Sequence, residues 1–218
     1  ALHVDVGPRD PLGAALGFML SMTATTGGYA IPRGGAQVLA DAMVADLRRR
    51  GGDVRLGARV ARVLTEGRQA VGVRLADGTE IRAARRAVLA DTAAASLLLD
   101  LVERDLIPTR VVRFMERFPQ GWGTFKVDWA LSSPVPWAVP EARRSAVVHA
   151  GDSLDDLERF TAQVRRGELP DNPYLVIGQQ SLADPTRAPA GKQTLWAYSR
   201  VPSRPVGGWA DQAEAFAA

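Results

Sequence analysis

The sequence predicts an α+β fold, with helices against a mixed or antiparallel sheet and a separate meander of strands. Three stretches carry that prediction. Val38, Leu39, Ala42, Met43 and Leu47 recur at helical spacing and stop at Gly51-Gly52. Val71, Val73 and Leu75 alternate with Gly72 and Arg74, then run into Asp77-Gly78, a strong hairpin signal. Ser153 to Arg166 opens on Ser153 with Asp156 three residues on, ends on Arg165-Arg166 and stops at Gly167, the full punctuation of a helix.

In chain order, Asp10 is an expected N-cap, with Pro11 in the first turn of a helix that runs from Leu12 to Ala24. That helix is apolar nearly all round. It is expected to be a core helix, with the wall of an apolar substrate tunnel or a membrane-touching patch as the sharper readings. Gly27-Gly28-Tyr29-Ala30-Ile31-Pro32-Arg33-Gly34-Gly35 follows, two glycine pairs around a short rigid insert. Either the loop needs glycine to turn, or its bare backbone at a helix start receives an anion or lies against a flat ligand. Arg48-Arg49-Arg50 suits the last turn of the next helix better than a binding patch.

Val54 to Leu64 is expected to form a strand bent at Gly57. Glu66-Gly67 makes a turn, Val71 to Leu75 is half-buried, and Ala87-Val88-Leu89-Ala90 is a short apolar strand. Asp91 or Thr92 would cap a helix from Ala93 to Leu101. Val111 to Phe118 is ambiguous. Trp122 to Leu131, Ser145 to Ala150, Tyr174 to Gln179 and Gln193 to Val201 are expected strands. Trp209 to Ala218 is expected to open a helix.

Charge is scattered over a net +3, so nothing marks a nucleic-acid footprint. The absence of cysteine excludes disulfides and thiol catalysis, leaving a cytoplasmic location as the default. Leu12 to Met22 is too short and too interrupted by Gly13, Gly17 and Ser21 to span a bilayer. The first residue is not methionine, and the chain is expected to be a piece of a longer protein.

Catalytic chemistry is sparse. His149 sits in an apolar strand and His3 has no neighbour in sequence to work with. No Gly-x-Ser-x-Gly, paired-histidine or Gly-x-Gly-x-x-Gly motif is present. Asp155-Asp156 point different ways on a helix, so capping explains them better than metal binding. The expectation is therefore no catalytic residue and no metal ligand.

The order of the segments is more telling than any one of them. It runs apolar helix, Gly-Gly-aromatic-x-x-Pro-x-Gly-Gly, amphipathic helix, then Gly-Gly-Asp-Val-Arg-Leu-Gly-Ala-Arg-Val, Val-Gly-Val-Arg-Leu-Ala-Asp-Gly and Ala-Val-Leu-Ala-Asp. This order resembles the middle of a phytoene dehydrogenase-like flavoprotein of the glutathione-reductase-type FAD superfamily. Phe125-Lys126-Val127-Asp128-Trp129-Ala130-Leu131 with Pro134-Val135-Pro136-Trp137, and Leu182-Ala183-Asp184-Pro185-Thr186-Arg187-Ala188-Pro189-Ala190-Gly191-Lys192, resemble later segments of the same family.

The resemblance implies FAD as cofactor and removal of a hydride from a lipophilic substrate such as a polyene or isoprenoid. It implies that the Val60 backbone lies beside the adenine, that Ala90 passes near the dinucleotide, and that Gly34 and Gly35 lie towards the flavin and substrate. Residues 1–50 would be substrate-side helices and the glycine junction. Residues 51–105 would be a strand meander of the FAD domain, and 106–218 the substrate-domain sheet. The family's N-terminal glycine loop and C-terminal flavin segment lie outside these 218 residues, so the piece alone is expected to hold FAD poorly. Peripheral membrane contact is a further expectation, and no oligomeric state is specified. Two alternatives stand beside this reading: a non-catalytic domain that binds a lipid or protein partner, and another flavin class such as an amine oxidase.

Overall fold

Backbone contacts divide the chain into two units, Ala1–Asp46 with Gly121–Ala218, and Leu47–Gln120. The structure is a computed structural model that describes residues 3–83, 87–210 and 212–217.

The first unit is built on an antiparallel sheet of β4 (Gly123–Leu131), β5 (Val147–Ala150), β6 (Leu175–Gly178) and β7 (Gln193–Val201), in the order β4-β7-β6-β5. Lys126 pairs with Tyr198, Tyr198 with Val176 and Val176 with His149, so these four share one face. Phe125, Val127 and Trp129 alternate with Lys126 and Asp128 and occupy the other face, where Phe125 stacks on Trp209 at 5.7 Å and meets Phe216 edge-on. The expected strands are all present, each trimmed by at most a few residues. Phe160, Val164, Val176, Ile177 and Val201 form the buried core of this unit.

Helix α5 (Leu154–Arg166) follows its signals closely. The Asp156 amide donates to Ser153 Oγ at 3.2 Å, and Ser153 Oγ donates back to Asp156 Oδ2 at 2.7 Å. Gly167 ends the helix at φ +79°. Near the chain's other end, α6 covers Ala213–Ala217, while Asp211 and Ala218 of the expected helix lie outside the described residues.

Helix α1 (Gly13–Thr26) corrects the expectation of a core helix, and α2 (Gln37–Arg49) is likewise exposed. No residue of either is buried, and Phe18 and Met43 are 69% and 66% exposed. The periodicity of α2 is as expected, but its apolar stripe is largely exposed, Leu39 and Met43 most of all. Ser21, Thr23 and Thr26 in α1 turn their hydroxyls back onto Gly17, Met19 and Met22 carbonyls, which leaves an uncharged, largely methyl surface. Asp10 does not cap α1: its carboxylate accepts the Gly7 amide at 2.6 Å and pairs with Arg165, and Leu12 stands at the cap position with φ +69°.

The second unit holds a three-stranded antiparallel sheet, β1 (Val60–Glu66), β2 (Gln69–Leu75) and β3 (Glu80–Arg82), in that order. The turn at Asp77-Gly78 is as expected, with the Asp77 carboxylate accepting the Thr79 amide at 2.9 Å and Gly78 at φ +89°. Gly72 has no room for a side chain, because a Cβ there would meet the Ile81 carbonyl on β3. Val63, Leu75 and Val112 are buried, Val112 on α4 (Thr109–Met115), so the ambiguous 111–118 stretch is helical to Met115 and then turns.

Three expectations fail in this unit. The strand begins at Val60 rather than Val54, and Leu56 is 90% exposed. Ala87–Ala90 forms no strand, and Leu89 is 93% exposed; an apolar run becomes a strand only when a neighbour takes up its amides and carbonyls. Neither Asp91 nor Thr92 caps a helix. Ala93 holds that position without a side-chain bond, before the short α3 (Ala94–Ser96) passes into one π-helical turn at Leu97–Leu101.

Candidate functional site

The glycine loop is fastened by a segment 150 residues away. The Asp184 carboxylate, on a residue only 2% exposed, accepts the Gly34 amide through Oδ2 at 2.6 Å. Its Oδ1 accepts the Thr186 hydroxyl at 2.6 Å and the Thr186 amide at 3.2 Å, an Asx-type turn that Pro185 pre-sets. Arg187 Nε donates to Asp184 Oδ2 at 3.2 Å, while its Nη2 donates to the Pro32 carbonyl at 3.0 Å. That carbonyl also accepts the Gly35 amide at 3.2 Å. One carboxylate and one guanidinium thus hold both ends of Pro32–Gly35. The hydrogen bonds from Thr186 and then Gly34 keep the Asp184 carboxyl well below the usual carboxylate range, with Arg187 adding to them.

This geometry sorts the expected cofactor-contacting residues. Gly34 and Gly35 lie in the first unit, Val60 and Ala90 in the second. The Gly34 amide is committed to Asp184 and the Gly35 amide to its own turn, so neither is free for an anion. Gly35, at φ +101°, and Gly28, at φ +70°, have no described atom within 4 Å of where a Cβ would stand, leaving bare backbone faces against which a flat ring could lie. Ala90 is exposed in irregular chain.

Val60 opens β1, the edge strand of its sheet. The Arg59 carbonyl accepts the Ala76 amide at 2.8 Å, so the planar trans peptide turns the Val60 N–H the opposite way, towards the open edge. That amide suits a ring-nitrogen acceptor of a purine. The outward Val60 amide could donate to an acceptor of a bound FAD, whereas the Gly34 amide, taken by Asp184, offers no phosphate cradle. Sequence reasoning gave Asp184 and Arg187 no role; their Asp-Pro-Thr turn chemistry was visible, but not what the turn would hold.

Two apolar recesses lie in the first unit. One, of about 420 Å³, is lined by Val4, Val6, Leu16, Leu20, Leu154 and Leu157, with His3 among its walls. The other, of about 290 Å³, lies on the sheet face of Phe125, Val127 and Trp129. His3, without a neighbour in sequence, finds two in space: its Nε2 lies 3.1 Å from His149 Nε2 and its Nδ1 3.1 Å from Tyr198 Oη. Desolvation lowers the pKa of both imidazoles, and for His3 the charges of His149 and Arg200 lower it further.

The fold is similar to that of a crystal structure of an oxidoreductase from Methanosarcina mazei, with a TM-score of 0.64 over 92% of this chain and 41% of that one, at 17% identity. The chain belongs to the flavin-containing amine oxidoreductase family, whose model matches residues 9–170. Among curated proteins it is similar to the neurosporene-forming phytoene desaturases of Rhodobacter capsulatus, 28% identical over 184 residues, and of Cereibacter sphaeroides, 29% identical over 175. These alignments cover 80% of this chain and 32% of each relative, so the chain spans about a third of their length. The cofactor implied for the parent enzyme is FAD. No helix among the described residues is long and apolar enough to cross a membrane.

Proposed function

We propose that the parent of this chain is an FAD-dependent dehydrogenase or desaturase that takes a hydride from a lipophilic isoprenoid or polyene. The observation that carries this reading is the similarity to two phytoene desaturases along 80% of the chain. In this reading the β1–β3 meander is the FAD side, of glutathione-reductase type, and the β4–β7 sheet with the glycine loop is the substrate side. The outward Val60 amide supports the first assignment, and the apolar recesses against Phe125, Val127, Trp129, Leu16 and Leu20 support the second.

When bound, FAD supplies the two-electron acceptor. The chain's own residues supply position and dryness. The Phe125–Trp129 face offers a surface on which an apolar chain lies without hydrogen-bond partners, and the exclusion of water there keeps a reacting C–H away from competing chemistry. The 218-residue chain by itself is proposed to hold FAD poorly, because no Gly-x-Gly-x-x-Gly loop for the pyrophosphate occurs in it. The exposed, uncharged surface of α1 supports contact with a lipid surface or with the lipophilic substrate.

The test is purification of the full-length parent. A visible flavin spectrum and conversion of phytoene to longer-wavelength polyenes, with amines left untouched, is the expected result. Oxidation of amines without action on polyenes overturns the substrate assignment. Titration of the 218-residue chain with FAD is expected to give weak or undetectable binding.

A further inference from the structure

We infer that the recess walled by His3, Leu16, Leu20, Leu154 and Leu157 takes an isoprenoid alcohol in preference to the bare hydrocarbon, with His3 binding the hydroxyl group. The inference deepens the lipophilic-substrate reading above and rests on it, but all of its residues lie in the first unit and it involves no cofactor. The recess, about 420 Å³, falls within the roughly 300–1,000 Å³ of small-molecule sites. Among the described residues lining it, His3 alone has a polar side chain; the others are aliphatic, proline or glycine. Aliphatic walls bury a chain without giving it a direction, so a single polar group sets which end of the chain lies where.

His3 is held for that task. Its Nδ1 lies 3.1 Å from Tyr198 Oη, and the Tyr198 ring stacks at 5.8 Å on Trp196, itself packed on Gly178. The segment that carries His3 is held as well. Gly7 is buried, its amide donates to Asp10 Oδ2 at 2.6 Å, and Asp10 pairs with Arg165 on α5. Gly13, at the start of α1, has no room for a side chain against the Gly7 carbonyl. With Nδ1 engaged by Tyr198, Nε2 is the nitrogen left for a ligand, and its partner among the described residues is His149 Nε2 at 3.1 Å. Both side chains are exposed, so a ligand oxygen can reach the pair.

The chemistry of the pair favours a hydroxyl group. Desolvation lowers both imidazoles below their ordinary 6.5, so at pH 7 each ring has one N–H and one lone pair. A hydroxyl group donates to one Nε2 and accepts from the other, whereas a carboxylate only accepts. The cations nearby are already neutralised, Arg200 by Asp5 and Lys126 by Asp128, which leaves no charge to draw an anion.

The experiment uses the full-length parent as wild type, His3→Phe, Tyr198→Phe and Leu16→Trp. Displacement of Nile red reads the affinities for farnesol and for the same chain without its hydroxyl group. The ratio of the two is compared between proteins, so that their different tendencies to leave water cancel. His3→Phe is expected to lower the alcohol-to-hydrocarbon ratio about tenfold, while the hydrocarbon affinity stays within about twofold of wild type. Tyr198→Phe, which frees the His3 ring, should lower the ratio by a smaller factor. Leu16→Trp, which fills the recess, should weaken both ligands together. In the wild type, the ring signals of His3 in NMR should move with farnesol and stay in place with the hydrocarbon, which decides the matter even where a variant does not fold. An unchanged ratio in His3→Phe, or His3 signals that ignore farnesol, overturns the inference. So does a Leu16→Trp protein that binds both ligands as well as wild type. A wild-type parent that binds neither ligand overturns the lipophilic-substrate reading and this inference together, whereas one that binds both with no contribution from His3 overturns this inference alone.

Discussion

Trp196 lies flat over Gly178, its register partner across β6 and β7, so closely that a Cβ on Gly178 would fall inside the indole. The indole also stacks on Tyr198 at 5.8 Å and carries Lys126 over its ring at 5.8 Å. A methyl at position 178 must displace the whole aromatic row. Gly178→Ala is expected to destabilise the first unit by about 1–3 kcal/mol, read as a lower midpoint in urea with an unchanged slope. A stability equal to wild type would mean that the row repacks freely.

Acid should act on the Asp184 clasp. The carboxyl titrates in the folded chain below its ordinary 3.8, so the unfolded chain binds protons first as pH falls. The stability it contributes is complete above about pH 4 and is lost progressively below that value. Thermal midpoints measured downwards from neutral pH should therefore drop less steeply in Asp184→Asn than in wild type, from a lower starting value. Parallel acid limbs for the two proteins would contradict this.

The His3–His149 pair predicts a second, separate pH window. Both imidazoles titrate below their ordinary 6.5 in the folded state, so the unfolded chain takes up protons first once the pH falls through about 6.5. Stability is unaffected above that value and declines as the pH falls below it, where protonation would bring like charges together on His3 and His149. His149→Gln should flatten the decline just below about pH 6.5 while leaving the limb below about pH 4 in place. Histidine C–H chemical shifts followed by NMR give a direct check, since both should titrate lower than a free imidazole.

Helix α5 is the element whose local signals have the most measurable value. Ser153→Ala removes the acceptor of the Asp156 amide and should cost about 1 kcal/mol. Gly167→Ala, at φ +79°, should cost about the same. Position 167 is tied into the unit by the Val206 amide, which donates to the Gly167 carbonyl at 2.7 Å. The two substitutions are at opposite ends of the helix and should add in urea unfolding.

Much of the fold was legible because the signals were local. Ser153 and Gly167 bound α5 without help from the rest of the chain, and Asp77-Gly78 sets its hairpin by turn chemistry alone. Strand β7 runs from Gln193 to Val201, the span that its alternation predicts. The failures share one cause. Val54–Leu56, Ala87–Ala90 and the apolar surface of α1 are patterns that require a neighbour, and pattern alone does not show whether the neighbour is present. The candidate site was legible only in half: the glycines of residues 27–35 drew notice, but Asp184, 150 positions on, did not.

By itself the sequence determined the class of fold, the order of its elements, the absence of thiol chemistry and the resemblance to a flavoprotein family. The first three depend on periodicity, capping and composition, which act over a few residues at a time, and the resemblance rests on the order of the quoted segments. Only the tertiary structure decided that Asp184 and Arg187 hold the glycine loop, that His3 meets His149, and that the Val60 amide faces an open sheet edge. Each is a contact or a direction fixed by how distant segments pack or pair, and no local preference encodes it.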